Sequence, residues 1–361
     1  MIMYIGLTIA VIAFFILSFF NTSVFGAEPK EEDLNHSKNF RDGVFHNQSL
    51  TEMMRPGASY VGMIRDLLNK PKNNTPDKPI EVIKTNLLQI NSAEPYLIWF
   101  GHSSYLLVVD GKKILVDPVF NNASPLSFFG KPYPATFNYQ AEDFPEIDLI
   151  LISHDHYDHL DEIAVKRLIP KTKHFLTSLG VDAHLKHWGV AAEQITALDW
   201  EQEFSFEGLK FTAAPARHFS GRKFKRGNTL WSSFILKTAT QQIYLGGDSG
   251  YDQHFKLIGQ QYGPFDLVIL ECGQYGKDWP KIHLLPEEMI KAATELKAKK
   301  LVPVHWGKFS LAFHPWTEPI ERALKAAENI EIDIYTPQIG ELLHFNEINQ
   351  TKKWWRAINS I

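Results

Sequence analysis

Six residues, His154-Asp155-His156-Tyr157-Asp158-His159, follow directly on the apolar run 147–153, and nothing else in the chain constrains its fold as much. A short aliphatic run bounded by polar residues reads as a buried strand. Leu160-Asp161-Glu162, beyond the six, reads as the start of a helix. The cluster therefore belongs at a strand end, where layered α/β proteins place their sites. Imidazole and carboxylate are the side chains that hold Zn²⁺ and comparable divalent ions. On extended backbone His154 and His156 point the same way and can chelate one ion, while Asp158 and His159 can turn to a second. A solvated helix start explains one Asp or one His. It does not explain five ligand-capable groups behind an apolar strand.

A dimetal centre needs further ligands at similar places. His218 comes just after the run 211–215, Asp248 follows 243–247 and His305 follows 301–304. Each alone reads as a hydrogen-bonded residue at a strand edge; three of them together read as ligands. Gly246 and Gly247, ahead of Asp248, are expected to let the backbone come close to an ion.

Around these residues, strand-like runs at 96–100, 105–109, 113–116, 149–152, 210–213, 232–237, 242–245, 267–270 and 301–304 alternate with helical ones. Helices are predicted over 160–168, 181–187 and 286–299, with a shorter one over 60–69. The last long one opens on Pro286 with Glu287 and Glu288 in its first turn, both favourable there. Such alternation predicts a layered α/β domain over 93–361, its two strand-rich halves meeting near residue 205. A formal charge of −4 lacks the basic excess of a nucleic-acid binder, so no nucleic-acid partner is expected. The single cysteine, Cys272, excludes an intramolecular disulfide and reads as a small buried hydrophobe.

The N-terminus reads differently. Residues 2–20 carry no charge, which predicts a membrane anchor or a signal peptide over 1–27. Either places the remainder outside the cytoplasm, associated with a membrane if the segment is retained. Residues 28–92 are poor in periodic pattern and read as an extension, with a surface linker at 70–79.

The segments Trp99-Phe100-Gly101-His102-Ser103-Ser104, Leu115-Val116-Asp117-Pro118-Val119-Phe120 and the hexad itself resemble the metallo-β-lactamase superfamily. So do Pro215-Ala216-Arg217-His218-Phe219-Ser220-Gly221-Arg222, Thr229-Leu230-Trp231-Ser232-Ser233, Gly247-Asp248-Ser249-Gly250-Tyr251, His283-Leu284-Leu285-Pro286-Glu287-Glu288 and His305-Trp306-Gly307-Lys308-Phe309. Within the superfamily, the resemblance is to the branch of N-acylphosphatidylethanolamine-hydrolysing phospholipase D and its RomA-like bacterial relatives. It spans roughly residues 96 to 325. Phe219 and Ser249 stand where that branch usually has Trp and Thr.

The resemblance implies an αββα sandwich of two mixed sheets flanked by helices, holding two Zn²⁺. His154, His156 and His218 would take one ion; Asp158, His159 and His305 would take the other, with Asp248 bridging. Two such ions can share a hydroxide and clamp a phosphoryl oxygen. Attack on phosphorus would then release phosphatidic acid and an N-acylethanolamine. Asp158 and His283 are the catalytic candidates, His283 as proton donor or substrate contact; a surface histidine ahead of a helix is the other reading of His283. His102 and Asp117, at strand ends, read as supports that orient the ligands, with metal ligation as the alternative. Apart from the resemblance, Arg217 and Arg222, in a basic stretch with Lys223, Lys225 and Arg226, read either as facing anionic headgroups or as part of a solvated hairpin. The expected partners are a phospholipid, a membrane and a second copy in a homodimer.

Other readings stay open. A lactonase acting on sugar phosphates would use the same metals, and a membrane-tethered metal-binding module would use no catalysis. Gly247-Asp248-Ser249-Gly250 echoes a serine-protease nucleophile segment. Tyr251 replaces the second glycine that segment needs, and a metal role for Asp248 already explains it. Trp354-Trp355 reads either as an interfacial anchor or as packing on the core.

Overall fold

A computed structural model describes residues 2–90, 94–345 and 352–358. Two seven-stranded sheets form its centre. The first contains β1 (Tyr96–Trp99), β2 (Tyr105–Val109), β3 (Lys112–Val116), β4 (Ile147–Ile152), β5 (Thr172–Ser178) and β6 (Ile195–Leu198). The second contains β7 (Glu203–Phe206), β8 (Leu209–Ala214), β9 (Ser233–Lys237), β10 (Gln242–Leu245), β11 (Leu267–Glu271), β12 (Lys300–Val304) and β13 (Asp333–Ile334). The chain changes sheet at 199–202. It returns at its end, where β14 (Leu342–His344) pairs antiparallel with β1.

Both sheets are mixed. β3 through β6 run parallel, as do β10 through β13, and the other neighbours are antiparallel. Parallel strands need both faces covered, which is why β4 and β11 are buried along their whole length and read as aliphatic runs. Helices α3 (Glu162–Leu168), α4 (Asp182–His187), α5 (His254–Gln261), α6 (Pro286–Glu295) and α7 (Glu318–Ala326) follow α1 (Ile2–Phe20) and α2 (Tyr60–Leu68). This is the layered α/β architecture expected.

The nine strand runs read from sequence all form strands, their ends shifted by no more than two residues. β5 carries a weak strand signal because it opens on three polar residues, Thr172-Lys173-His174, and holds only two apolar ones, Phe175 and Leu176. α6 stops four residues short of 299 because Lys297 takes a left-handed backbone, φ +58°, which ends the helix. Trp354 and Trp355 are buried. Their indole nitrogens donate to Pro337 O (3.1 Å) and Glu321 Oε1 (2.7 Å), and both rings lie against Trp306. They close the core.

Residues 34–45 and 74–87 are packed onto the domain through Leu34, Phe40, Phe45, Asn74, Ile80, Val82 and Leu87. The hairpin Phe40–Arg41/Val44–Phe45 buries its two phenylalanines against Leu179, Trp200, Leu230 and Trp231. Asn74, inside the stretch read as a linker, is buried and donates to Ala312 O (3.2 Å) and His314 O (2.8 Å). Its polarity suits a strap whose amides reach backbone carbonyls. The segment 2–20 forms the 19-residue helix α1, several of whose side chains lie outside the description. Among the described residues no helix is long and apolar enough to cross a membrane.

The turn after α1, Ser23–Phe25, is built into the domain. Trp188 Nε1 donates to Ser23 O (2.7 Å), Arg222 Nη2 donates to Val24 O (2.8 Å), and Phe25 is buried edge-on to Tyr157. A chain shortened to start at Glu28 is expected to lose about 2–5 kcal/mol, since buried donors stripped of acceptors cost about 1–3 kcal/mol each. A chain starting at Thr22 should keep its urea midpoint. Equal midpoints for the two would show that the turn contributes nothing.

Candidate metal centre

Each residue of the centre leaves the same end of one of the two sheets. His154, His156, Asp158 and His159 follow β4, Asp117 follows β3, and His102 lies in the β1–β2 turn. In the second sheet, His218 follows β8, Asp248 follows β10, and His305 follows β12. Parallel neighbours put these strand ends side by side, and the sheets face each other. His102, Asp117 and His305 have left-handed backbones, with φ of +53°, +40° and +67°. Strained backbone at non-glycine residues clusters at functional sites, at about 1–3 kcal/mol each. The two loops that carry it are tied together, His305 N donating to His102 O (2.9 Å) and His102 N to Trp306 O (2.8 Å).

The side chains form two adjoining sets, each of which could hold a metal ion. His154, His156 and His218 make one, with His154 Nε2 at 3.0 Å from His156 Nδ1 and His218 Nε2 at 3.2 Å from the same atom. Asp158, His159, His305 and His102 make the other. Asp248 stands between them: Oδ1 lies 3.2 Å from His159 Nε2, and Oδ2 lies 3.7 Å from His218 Nε2 and 3.9 Å from His154 Nε2.

These residues suit divalent ions. His159 Nε2, His305 Nε2 and Asp248 Oδ1 are buried with no hydrogen-bond partner, a costly state that an ion would relieve. Burial holds His154, His218 and His305 well below the usual imidazole range and His156 down to about 4. Neutral imidazole is the form that offers a lone pair. His159 goes the other way. Burial works to lower it, but Asp248, Asp158 and Asp117 together raise it. Asp248 is pushed up to about 6, first by burial and then, after an opposing pull from His159, by Glu271.

Supporting contacts surround the ligands. Asp117 accepts from Ser153 N (2.8 Å) and Oγ (2.6 Å) and lies 2.7 Å from His159 Nδ1. His102 Nε2 lies 2.9 Å from Asp158 Oδ2. Both fix the rings and carboxylates that face the centre. His283 sits beside the ligands, its ring 5.0 Å from that of His218, with Nδ1 2.9 Å from Glu271 Oε2. Glu271 is buried and also accepts from Ser249 N at 2.6 Å.

Three expectations need correcting. Arg222 does not face a substrate: its guanidinium is buried and its donors are consumed by the carbonyls of Asp155, Leu160 and Val24. Arg217 is spent likewise, on Thr51 Oγ1 and the carbonyls of Leu50 and Tyr251. The arginine that does line the cavity is Arg226, exposed at the rim over the Phe219 ring. Gly246 and Gly247 serve neighbouring strands. A Cβ at Gly246 would meet Ile269 O at 2.5 Å, and one at Gly247 would meet Ser232 O at 2.7 Å.

Sequence reasoning missed Glu271, although it ends an apolar strand as the ligands do, and the same rule would have found it. It also missed His184, whose Nε2 lies 3.2 Å from Asp155 Oδ2. Asp155 Oδ1 accepts from Gly221 N (2.7 Å), so Asp155 braces the loop from behind. The cavity over the ligands, about 510 Å³, has a wall that no motif announced: Met53, Met54, Tyr60, Met63, Trp279 and Leu311.

Comparison with known proteins matches residues 112–306 to the beta-lactamase superfamily domain. An uncharacterized protein of Mycobacterium tuberculosis is 39% identical over 326 residues, covering 89% of this chain and 88% of that protein. An N-acyl-phosphatidylethanolamine-hydrolyzing phospholipase D of Caenorhabditis elegans is 32% identical over 346 residues, 88% of this chain and 97% of that one. A metallo hydrolase from the archaeon Ignicoccus hospitalis superposes with a TM-score of 0.54 at 21% identity, over 71% of this chain and all of that one.

Proposed function

This chain belongs to the metallo-β-lactamase superfamily of metal-dependent hydrolases, and from that premise we propose that it is a dizinc phosphodiester hydrolase of membrane phospholipids. Its substrate on this reading is an N-acylphosphatidylethanolamine, and its working place is a membrane surface outside the cytoplasm. One observation carries the reading: the cavity above the ligand sets is mostly walled by apolar side chains and has a cationic rim residue, Arg226. That combination suits a phosphate carrying hydrocarbon, and fits a small hydrophilic sugar phosphate poorly. The Caenorhabditis relative's named activity agrees with it.

His154, His156 and His218 would hold one ion, and Asp158, His159 and His305 the other, with Asp248 shared. When bound, such ions acidify water and neutralise charge on a phosphoryl oxygen. The remaining work falls to the protein. The apolar wall orients the acyl chains and excludes water, while Arg226 offers its charge to the phosphate. Burial holds the Glu271 carboxyl well above its usual range, so protonated Glu271 can donate to His283 Nδ1. That leaves the proton of neutral His283 on Nε2, to pass to the departing ethanolamide oxygen while Glu271 supplies Nδ1. Water oxygen joins phosphorus as the bond to that alkoxide breaks, leaving phosphatidic acid.

The test is product analysis in oxygen-18 water. N-acylphosphatidylethanolamine should give phosphatidic acid carrying the label on phosphate, together with unlabelled N-acylethanolamine. Label in the ethanolamide hydroxyl would mean attack at carbon. Diacylglycerol would move the cut to the other side of phosphorus. Inactivity on this lipid beside rapid lactone opening would give the site to the lactonase reading.

A further inference from the structure

α2 has no buried residue. Val61, Leu68 and Ile64 are 79%, 80% and 56% exposed, and Tyr60 is 74% exposed. A nine-residue amphipathic helix gains its stability from packing an apolar face, and this one packs little of it. Its placement is what matters. Tyr60 and Met63, on the same helix, line the cavity over the metal ligands, so the opening of the site and the uncovered face share one element. The apolar surface continues on other segments that border the cavity. Leu50 is 87% exposed three residues before Met53, and Phe224 is 83% exposed two residues before Arg226.

The charges beside this surface fit an anionic partner. Arg226 and Lys223 have no acidic partner among the described residues, and neither does Arg65 on α2 itself. Free cations bordering exposed aliphatic and aromatic side chains form the pattern of a helix lying in the headgroup region of an anionic bilayer. We propose that α2, with Leu50 and Phe224, is an interfacial docking surface that seats the cavity mouth on a lipid surface. This deepens the phospholipid reading and rests on it for the choice of occupant. Val61, Ile64 and Leu68 enter the acyl region, the cations meet headgroup phosphates, and a lipid passes into the cavity between Tyr60 and Met63 without crossing water.

The experiment uses the full chain carrying Ile64→Cys labelled with the environment-sensitive dye NBD; Cys272 is fully buried and remains unlabelled. Thr240→Cys is the control, at the turn leading into β10 and so at the end of the sheet away from Asp248. With vesicles of phosphatidylcholine and phosphatidylserine, the Ile64 dye should shift to the blue and brighten severalfold while the Thr240 dye stays unchanged. Ile64→Asp and Leu68→Asp should each weaken co-sedimentation by about tenfold, the worth of one apolar side chain left in water. Both should hydrolyse the water-soluble diester bis(p-nitrophenyl) phosphate at the unaltered rate.

An unshifted Ile64 dye on protein that co-sediments overturns the proposal, because another element is then holding the vesicle. Absence of co-sedimentation overturns it too. So does a shift that grows with protein concentration without vesicles, which would make the face a contact between copies. The vesicles contain no substrate, so a dye response in a protein that cleaves no N-acylphosphatidylethanolamine keeps the surface and retires only the substrate reading.

Discussion

Alanine at His156 or Asp248 is expected to lower turnover by about 10³-fold or more, equivalent to roughly 4 kcal/mol of barrier, because on the two-metal reading each would remove a ligand. Both proteins should remain folded. The ligands project from strand ends, while the buried aliphatic residues of β4 and β11 lie behind them. Metal content, at about two equivalents in the parent protein on the dizinc reading, should fall in both variants. A chelator should abolish activity and lower the melting temperature, since an ion that binds only the folded state stabilises it. Asp248 should have the wider effect of the two, because its oxygens face both ligand sets. Full activity after complete demetallation would end the metallohydrolase reading of this site, as would an unaltered metal count in both variants.

Arg222→Met and Arg226→Met should separate in opposite senses. Arg222 is buried, and its removal leaves the carbonyls of Asp155, Leu160 and Val24 without donors. The expected loss is about 3–5 kcal/mol, seen as a lower urea midpoint, with KM for the lipid unchanged well below that midpoint. Arg226 is exposed at the cavity rim, so its replacement should leave stability within about 0.5 kcal/mol and raise KM. A stable Arg222 variant with raised KM would return that arginine to the headgroup.

The two arginines show where sequence stops being informative. A strand end can be read locally: His154, His218, Asp248 and His305 each come at or just beyond the end of an apolar run, and the run itself predicts where the residue emerges. Which arginine of a basic stretch turns inward depends on partners far along the chain, such as Val24 O, 198 residues from Arg222. Periodicity carries no trace of such a partner. Residues 28–90 were illegible for the same reason. Asn74 makes sense only once Ala312 and His314 are beside it, and Met53, Met54 and Met63 line the cavity through tertiary packing that no local pattern encodes. Glu271 differs, since it obeyed the legible rule and was passed over for want of a motif.

The split of ligands between the sheets has a consequence for assembly. Each set is completed only across the sandwich: His154 and His156 come from the first sheet and His218 from the second, while Asp158 and His159 come from the first and His305 from the second. An ion held by such a set would work as a rivet, closing a loop of some 60 residues in one case and about 150 in the other, at an entropic cost that grows only slowly with loop length. On the two-metal reading, full coordination of either ion would therefore follow the meeting of the two halves.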